Sequence, residues 1–182
     1  MSQIHVITDS DSNLPQALAQ KLGIRQVPIT IQFGEESFAD GVDIQNPALF
    51  ERIDRTGKLP TTAAPSPSAF AESFREAFAN GADSIICVTV GSKISRTYES
   101  AVLAAEELAD KKITIIDSGL LSMAQAYLAM AAAEAVIAGD SHEEAVKKAE
   151  SLKGRTHIYG SLSTLKYLAL GGRVSNLAAS MA

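Results

Sequence analysis

The sequence predicts an α/β fold: a mostly parallel sheet with helices on both faces. Three observations carry that prediction. The apolar runs at residues 4–8, 85–90 and 113–116 are continuous rather than alternating, as strands buried on both faces are. Between them apolar residues recur at helical spacing, as Phe70, Phe74, Ala77 and Phe78 do. The two kinds of segment alternate along the chain, the order that builds a parallel sheet through helical crossovers.

The elements follow in order. Ile4-His5-Val6-Ile7-Thr8 is a first strand that ends in Asp9-Ser10-Asp11, with a helix over residues 15–21 after it. Residues 27–33 read as a second strand, and Gly34-Glu35-Glu36 as a hairpin turn into Ser37-Phe38. Asp40-Gly41-Val42-Asp43 turns the chain, and Pro47 opens a helix at its favoured first position. A proline-rich connector leads to the helix of Phe70 and Phe74, then to the buried strand of residues 85–90. Tyr98, Ala101, Val102 and Ala105 mark the next helix, residues 113–116 a strand and residues 122–138 a helix. Ser141-His142-Glu143-Glu144 fits a capping box for a helix that ends near Gly154. Ile158-Tyr159-Gly160 reads as a last strand and residues 162–170 as a last helix, stopped by Gly171-Gly172.

Bulk properties narrow the function. Of 182 residues, 46% are hydrophobic and 20% charged, which suits an ordinary folded protein. The 16 basic and 21 acidic residues leave a net charge of −5, with no basic block and no Trp, so a nucleic-acid surface is not expected. Cys87 is the sole cysteine, so no internal disulfide can form, and a reducing, cytoplasmic compartment is expected. Its apolar neighbours point to a core thiol rather than a nucleophile. No signal-peptide pattern opens the chain. The Ala-rich run over residues 123–138 is too short to span a bilayer and is interrupted by Gln125 and Glu134. His5, His142 and His157 lack metal-ligand spacing; His5 reads as a strand residue and the other two as exposed. Neither metal nor cofactor is expected, and the Gly-Lys-Ser/Thr phosphate loop is absent.

Three segments could hold an anion. Leu59-Pro60-Thr61-Thr62-Ala63-Ala64-Pro65-Ser66-Pro67 combines three stiffening prolines with the hydroxyls of Thr61 and Thr62. It reads either as a helix connector or as a rigid cradle for a small anionic group. Gly91-Ser92-Lys93-Ile94-Ser95 leaves a buried strand and enters a helix, whose unsatisfied amides and positive dipole end favour an anion. Ser95 there is either a simple cap or a ligand donor, with Ser92 beside it. Gly171-Gly172-Arg173 offers a guanidinium, either solvated or able to clamp a carboxylate. In open parallel sheets ligands bind beyond the carboxyl ends of the strands, which is where the turns after Asp9, Val90 and Asp117 fall.

Taken together and in order, these motifs resemble the DegV family of bacterial fatty-acid-binding proteins. Thr8-Asp9-Ser10-Asp11-Ser12-Asn13-Leu14-Pro15 matches its Thr-Asp-Ser-x-x-x-Leu-Pro opening. Phe33-Gly34-Glu35-Glu36, Asp40-Gly41-Val42-Asp43-Ile44, the Pro-rich loop, Ser95-x-Thr97-Tyr98, Ile116-Asp117-Ser118 and Gly171-Gly172-Arg173-Val174 follow. The resemblance runs the length of the chain. It implies a two-domain α/β protein, not an enzyme, that buries a long-chain fatty acid. By that resemblance the carboxylate is held by Thr62 and Ser95, with Arg173 near it and Thr61 and Ser92 adjoining. It also implies a fatty acid kinase as partner, to which some members present the acid for conversion to an acyl phosphate. Residues 1–154 correspond to the first domain and residues 155–182 to the start of a second, which is incomplete at Ala182.

The chain departs from the family pattern at several points. Ala63-Ala64 replaces a polar Ser-Gln pair, Arg96 adds bulk and charge where Gly is usual, Glu99 replaces Gln, and Gln125 interrupts a small-residue stretch. Two other readings remain. One is a structural or regulatory module without ligand. The other is a phosphoaspartyl phosphatase with Asp9 and Asp11 as nucleophile and acid and Asp140, Glu143 or Glu144 supplying later carboxylates.

Overall fold

The structure, a computed structural model, describes residues 3–172. Strands β1 (Ile4–Asp9), β2 (Ile24–Val27), β6 (Ser84–Thr89) and β7 (Lys112–Asp117) form one sheet in the order β2-β1-β6-β7, every pairing parallel. Strands β3 (Thr30–Phe33), β4 (Glu36–Ala39) and β5 (Thr61–Ala63) form a second, antiparallel sheet in the order β4-β3-β5. The helices are α1 (Gln16–Leu22), α2 (Asn46–Thr56), α3 (Pro67–Ala79), α4 (Thr97–Glu106), α5 (Ser122–Ile137), α6 (His142–Glu150) and α7 (Lys166–Leu170), with a 3-10 turn at Ser10–Ser12.

The parallel sheet is the middle of three layers, and strand periodicity assigns its side chains. Val6, Ile86, Val88 and Ile116 face one way, onto Leu128, Ala129 and Ala132 of α5, with Ala145 and Ala149 of α6 behind. Their neighbours Ile7, Ile85 and Cys87 face the other way, onto Phe70 and Phe74 of α3 and Ala101 and Ala104 of α4. All six residues of β6 are buried, which explains their unbroken apolar run. The rings of Phe70 and Phe74 lie 5.9 Å apart, tilted by 42°, a favourable aromatic arrangement. Cys87 is fully buried as expected, and burial holds its thiol neutral by raising its pKa.

Several expectations need correction. Residues 27–33 form not one strand but parts of two in different sheets, because Pro28 cannot donate to a ladder and separates Val27 from Thr30. The Pro-rich segment also contributes a strand that was not expected: Thr61–Ala63 pairs with β3, Ile31 opposite Thr62. His142 is buried rather than exposed; its ring lies 2.9 Å from Ser84 Oγ and 2.8 Å from Thr114 Oγ1. Residues 158–160 are irregular, and the last helix shrinks to Lys166–Leu170, none of whose residues is buried. The capping box is present: Ser141 Oγ accepts from the Glu144 amide and the Glu144 carboxylate accepts from the Ser141 amide. No helix among the described residues is long and apolar enough to cross a membrane.

Candidate ligand-binding site at the carboxyl edge

Topology collects the candidate residues at one edge. Strands β1, β6 and β7 run parallel, so Asp9, Thr89 and Asp117 all end there, and the turns after them stand side by side. Helix α3 runs back from this edge to the start of β6. Its 13 residues span about 20 Å at about 1.5 Å each, enough to cross the sheet. The segment just before α3, with Thr61 and Thr62, is thereby returned to the same edge. Ser10 Oγ, accepting from the Ile29 amide at 3.1 Å, ties the small sheet to the end of β1.

The turns are bound to one another by polar groups, some fully and some partly buried. Asp9 is fully buried, and its Oδ2 accepts from the Val90 amide at 2.9 Å and from Gln125 Nε2 at 3.0 Å. Its Oδ1 accepts from the Asp11 amide at 3.1 Å. The Gly91 amide donates to the Leu120 carbonyl at 2.7 Å. The Ser92 amide donates to Asp117 Oδ1 at 3.0 Å and the Ser92 hydroxyl to Oδ2 at 2.6 Å. Asp117 Oδ1 also accepts from the Gly119 amide. Gly91 is required by space, since a Cβ there would lie 2.8 Å from the Gly119 carbonyl carbon. Asn13 and Ser122, the only non-glycine residues with left-handed backbone among those described, meet here through a 3.0 Å hydrogen bond from Ser122 Oγ to Asn13 Oδ1.

Electrostatics separates the two carboxylates. Burial pushes Asp9 up to about 6, against the Val90 amide and Gln125, with the charge of Asp11 adding to the rise. Burial also raises Asp117, but the Ser92 hydroxyl, the Gly119 and Ser92 amides and Lys153 outweigh it, leaving the carboxyl below its ordinary value.

Each candidate has a definite place. Thr61 and Thr62 are exposed on β5. Ser95 is half-buried, just before α4, its hydroxyl 2.8 Å from Thr97 Oγ1. It does not cap α4: the N-cap position is Arg96, and among the described residues no side chain caps the first-turn amides of that helix. Ser92 spends its proton on Asp117 and braces the turn. Arg173 lies outside the described residues. Sequence reasoning passed over Asp117 as a brace and Gln125 as a partner of Asp9. A polar residue within an Ala-rich helix was the available signal for Gln125. As a phosphatase nucleophile Asp9 is unsuited, being fully buried with both oxygens occupied. Among the described residues no cluster of His, Cys, Asp or Glu could hold a metal. A cleft of about 550 Å³ opens nearby, its walls mixing apolar Leu14, Ile24 and Val42 with polar Asn13, Gln20 and Gln26.

Comparison with known proteins agrees with this architecture. A family model described as "Uncharacterised protein, DegV family" matches residues 3–182. A DegV domain-containing protein of Streptomyces coelicolor is 34% identical over 94% of this chain and 60% of its own length. The chain thus spans about three-fifths of that relative. A DegV family protein from Thermus thermophilus, whose structure is described as fatty acid binding, superposes with TM-score 0.86 at 33% identity, over 97% of this chain and 62% of that one. A stearic acid-binding protein from Eubacterium ventriosum superposes with TM-score 0.87 at 30% identity, over 99% of this chain and 64% of that one.

Proposed function

The chain belongs to the DegV family, and on that premise we propose that it binds a long-chain fatty acid, its carboxylate held by Ser95 and Thr62 at the carboxyl edge. The observation that carries this reading is the uncapped start of α4 behind Ser95, on the edge to which α3 returns Thr61 and Thr62. A carboxylate leaving water loses several kcal/mol of solvation unless donors replace it, and hydroxyls with open helix amides are such donors. The relatives named for fatty-acid binding support the same ligand. Arg173 joins the head group in this reading, and Ser92 acts through its brace on Asp117. The role is binding rather than catalysis, with a fatty acid kinase as the partner that receives the acid. Residues 1–154 make the first domain and residues 155–182 open a second.

Extraction of the purified protein followed by mass spectrometry tests the proposal. A long-chain acid near one equivalent is expected in the wild type and a clear loss in Ser95→Ala and in Thr62→Ala. Equal lipid in all three proteins would refute the head-group assignment, and none in the wild type would refute the binding.

A further inference from the structure

We propose that Asp9 is a positioning residue for this site: its carboxylate clamps the turn that presents Ser95, and protonating or removing it loosens that turn and releases the anionic ligand. The proposal rests on the fatty-acid reading above.

The geometry supplies the argument. Three consecutive amides after β6 are each tied to a different element: Val90 to Asp9 on β1, Gly91 to the Leu120 carbonyl, and Ser92 to Asp117 on β7. The turn that follows, with the Ile94 and Ser95 amides both donating to the Gly91 carbonyl, therefore stands on a backbone without freedom. Asp9 holds the first tie. It also holds the Asp11 amide, so the same carboxylate fixes the turn after β1. Burying a carboxylate is expensive, and a neutral side chain could satisfy the Val90 amide on its own. What a carboxylate adds is several strong acceptor sites and a protonation state that can change.

Its surroundings accommodate that change. Gln125 Nε2 donates to both Asp9 Oδ2 and Thr8 Oγ1, while Gln125 Oε1 is buried without a hydrogen-bond partner among the described residues. Turning the amide over would aim Oε1 at Asp9, the acceptor that a protonated carboxyl needs. The titratable groups facing Asp9 are Asp11 on the 3-10 turn and the Cys87 thiol on β6; α5 presents the neutral Gln125. The thiol stays neutral throughout, because burial raises it well above its ordinary value. With Asp9 itself raised to about 6, mild acid is enough to protonate it.

The test measures oleate binding by the full chain at about pH 8 and about pH 5.5, in wild type and Asp9→Asn, together with amide hydrogen exchange over residues 90–96. At the higher pH the variant should bind about tenfold more weakly, the size expected for one charge-assisted hydrogen bond, with faster exchange at Val90. The wild type should lose affinity and Val90 protection on acidification, and the variant should show the smaller change. The ligand's own ionisation affects both proteins alike. If wild type binds oleate and Asp9→Asn matches it within about twofold, with the same pH dependence and protection, the clamp is overturned. If wild type takes up no oleate, the fatty-acid reading fails, and exchange alone decides the clamp: unchanged Val90 protection in the variant overturns it and faster exchange supports it. Should Asp9→Asn not fold, a pH-independent Val90 protection in wild type, after correction for intrinsic exchange, overturns the proposal.

Discussion

His142 shows how much a single residue can carry away from the site. Its ring joins Ser84 on β6 to Thr114 on β7, so the start of α6 is fastened to two strands at once. Removing the ring in His142→Ala leaves two hydroxyls without their partner, and a loss of about 2 to 3 kcal/mol in unfolding free energy is expected from denaturant titration. The ring also sets a pH dependence. Burial, then the Lys112 cation, lowers its pKa, with Glu143 partly offsetting them. The folded protein therefore binds this proton less readily than the unfolded chain does. The stability it contributes is present above the unfolded value of about 6.5 and is lost as pH falls from there through the lowered folded value. Melting curves across that window should show the wild type losing this component and His142→Ala lacking it. Asp9 acts with the opposite sign. Its pKa is raised from 3.8 to about 6, so its ionised form weakens the fold at neutral pH by about 3 kcal/mol, regained as pH falls through that interval. An ionised, buried Asp9 is thus a cost to the stability of the fold. His142 was unreadable from the sequence because its partners lie 58 and 28 positions away.

At the scale of elements, two turns meet too closely for any side chain between them. Gly91→Ala would place a Cβ 2.8 Å from the Gly119 backbone, which no rotamer relieves. Overpacking of this kind costs about 1 to 3 kcal/mol, or about 3 to 10 °C in melting temperature for a chain of this size. The same variant should bind fatty acid less well, because the turn that presents Ser95 has to shift. A melting temperature within about 1 °C of wild type would refute the close approach. Helix α6 supplies a contrast distant from any ligand. Ser141→Ala breaks its capping box and should cost about 1 kcal/mol without changing lipid content. Elements whose signal is local were legible: the unbroken apolar run of β6, the capping box, and the helical spacing of Phe70, Phe74 and Ala77. Elements defined by a distant partner were not. β5 has only three residues between prolines and exists because β3 is there to pair with it. The break at Pro28 was written in the sequence but masked by apolar residues on either side. At the carboxyl edge, Ser95 and Thr62 stood out in the sequence as candidate donors, whereas Asp9 and Asp117, which brace the turn before Ser95, depend on strand order.

For the whole molecule the question is where cooperative structure stops. Among the described residues, every member of the two apolar cores lies from Ile4 to Leu152. Beyond them Tyr159 is 91% exposed and Leu170 70% exposed, although both are large and apolar. Helix α7 has five residues with none buried, far below the roughly 12 to 15 that make even an isolated helix marginal. Nothing in residues 155–172 can therefore contribute much to the unfolding transition of the sheet and its helices. Trypsin should cut first at Arg155 and Lys166, leaving a core that ends near residue 155 and melts within about 2 °C of the intact chain. Early cleavage inside residues 16–150, or a core several degrees less stable, would place the end of the first domain elsewhere. If the core keeps its stability but loses fatty acid, the apolar residues after Arg155 belong to the ligand's surroundings rather than to the fold. About 14 methylenes of an alkyl tail are worth about 11 kcal/mol when fully covered, so losing even part of that cover would show as a large fall in lipid content. Stability and binding would then separate along the chain: the three-layer body holds the head-group turns in place, and the segment after it contributes to affinity.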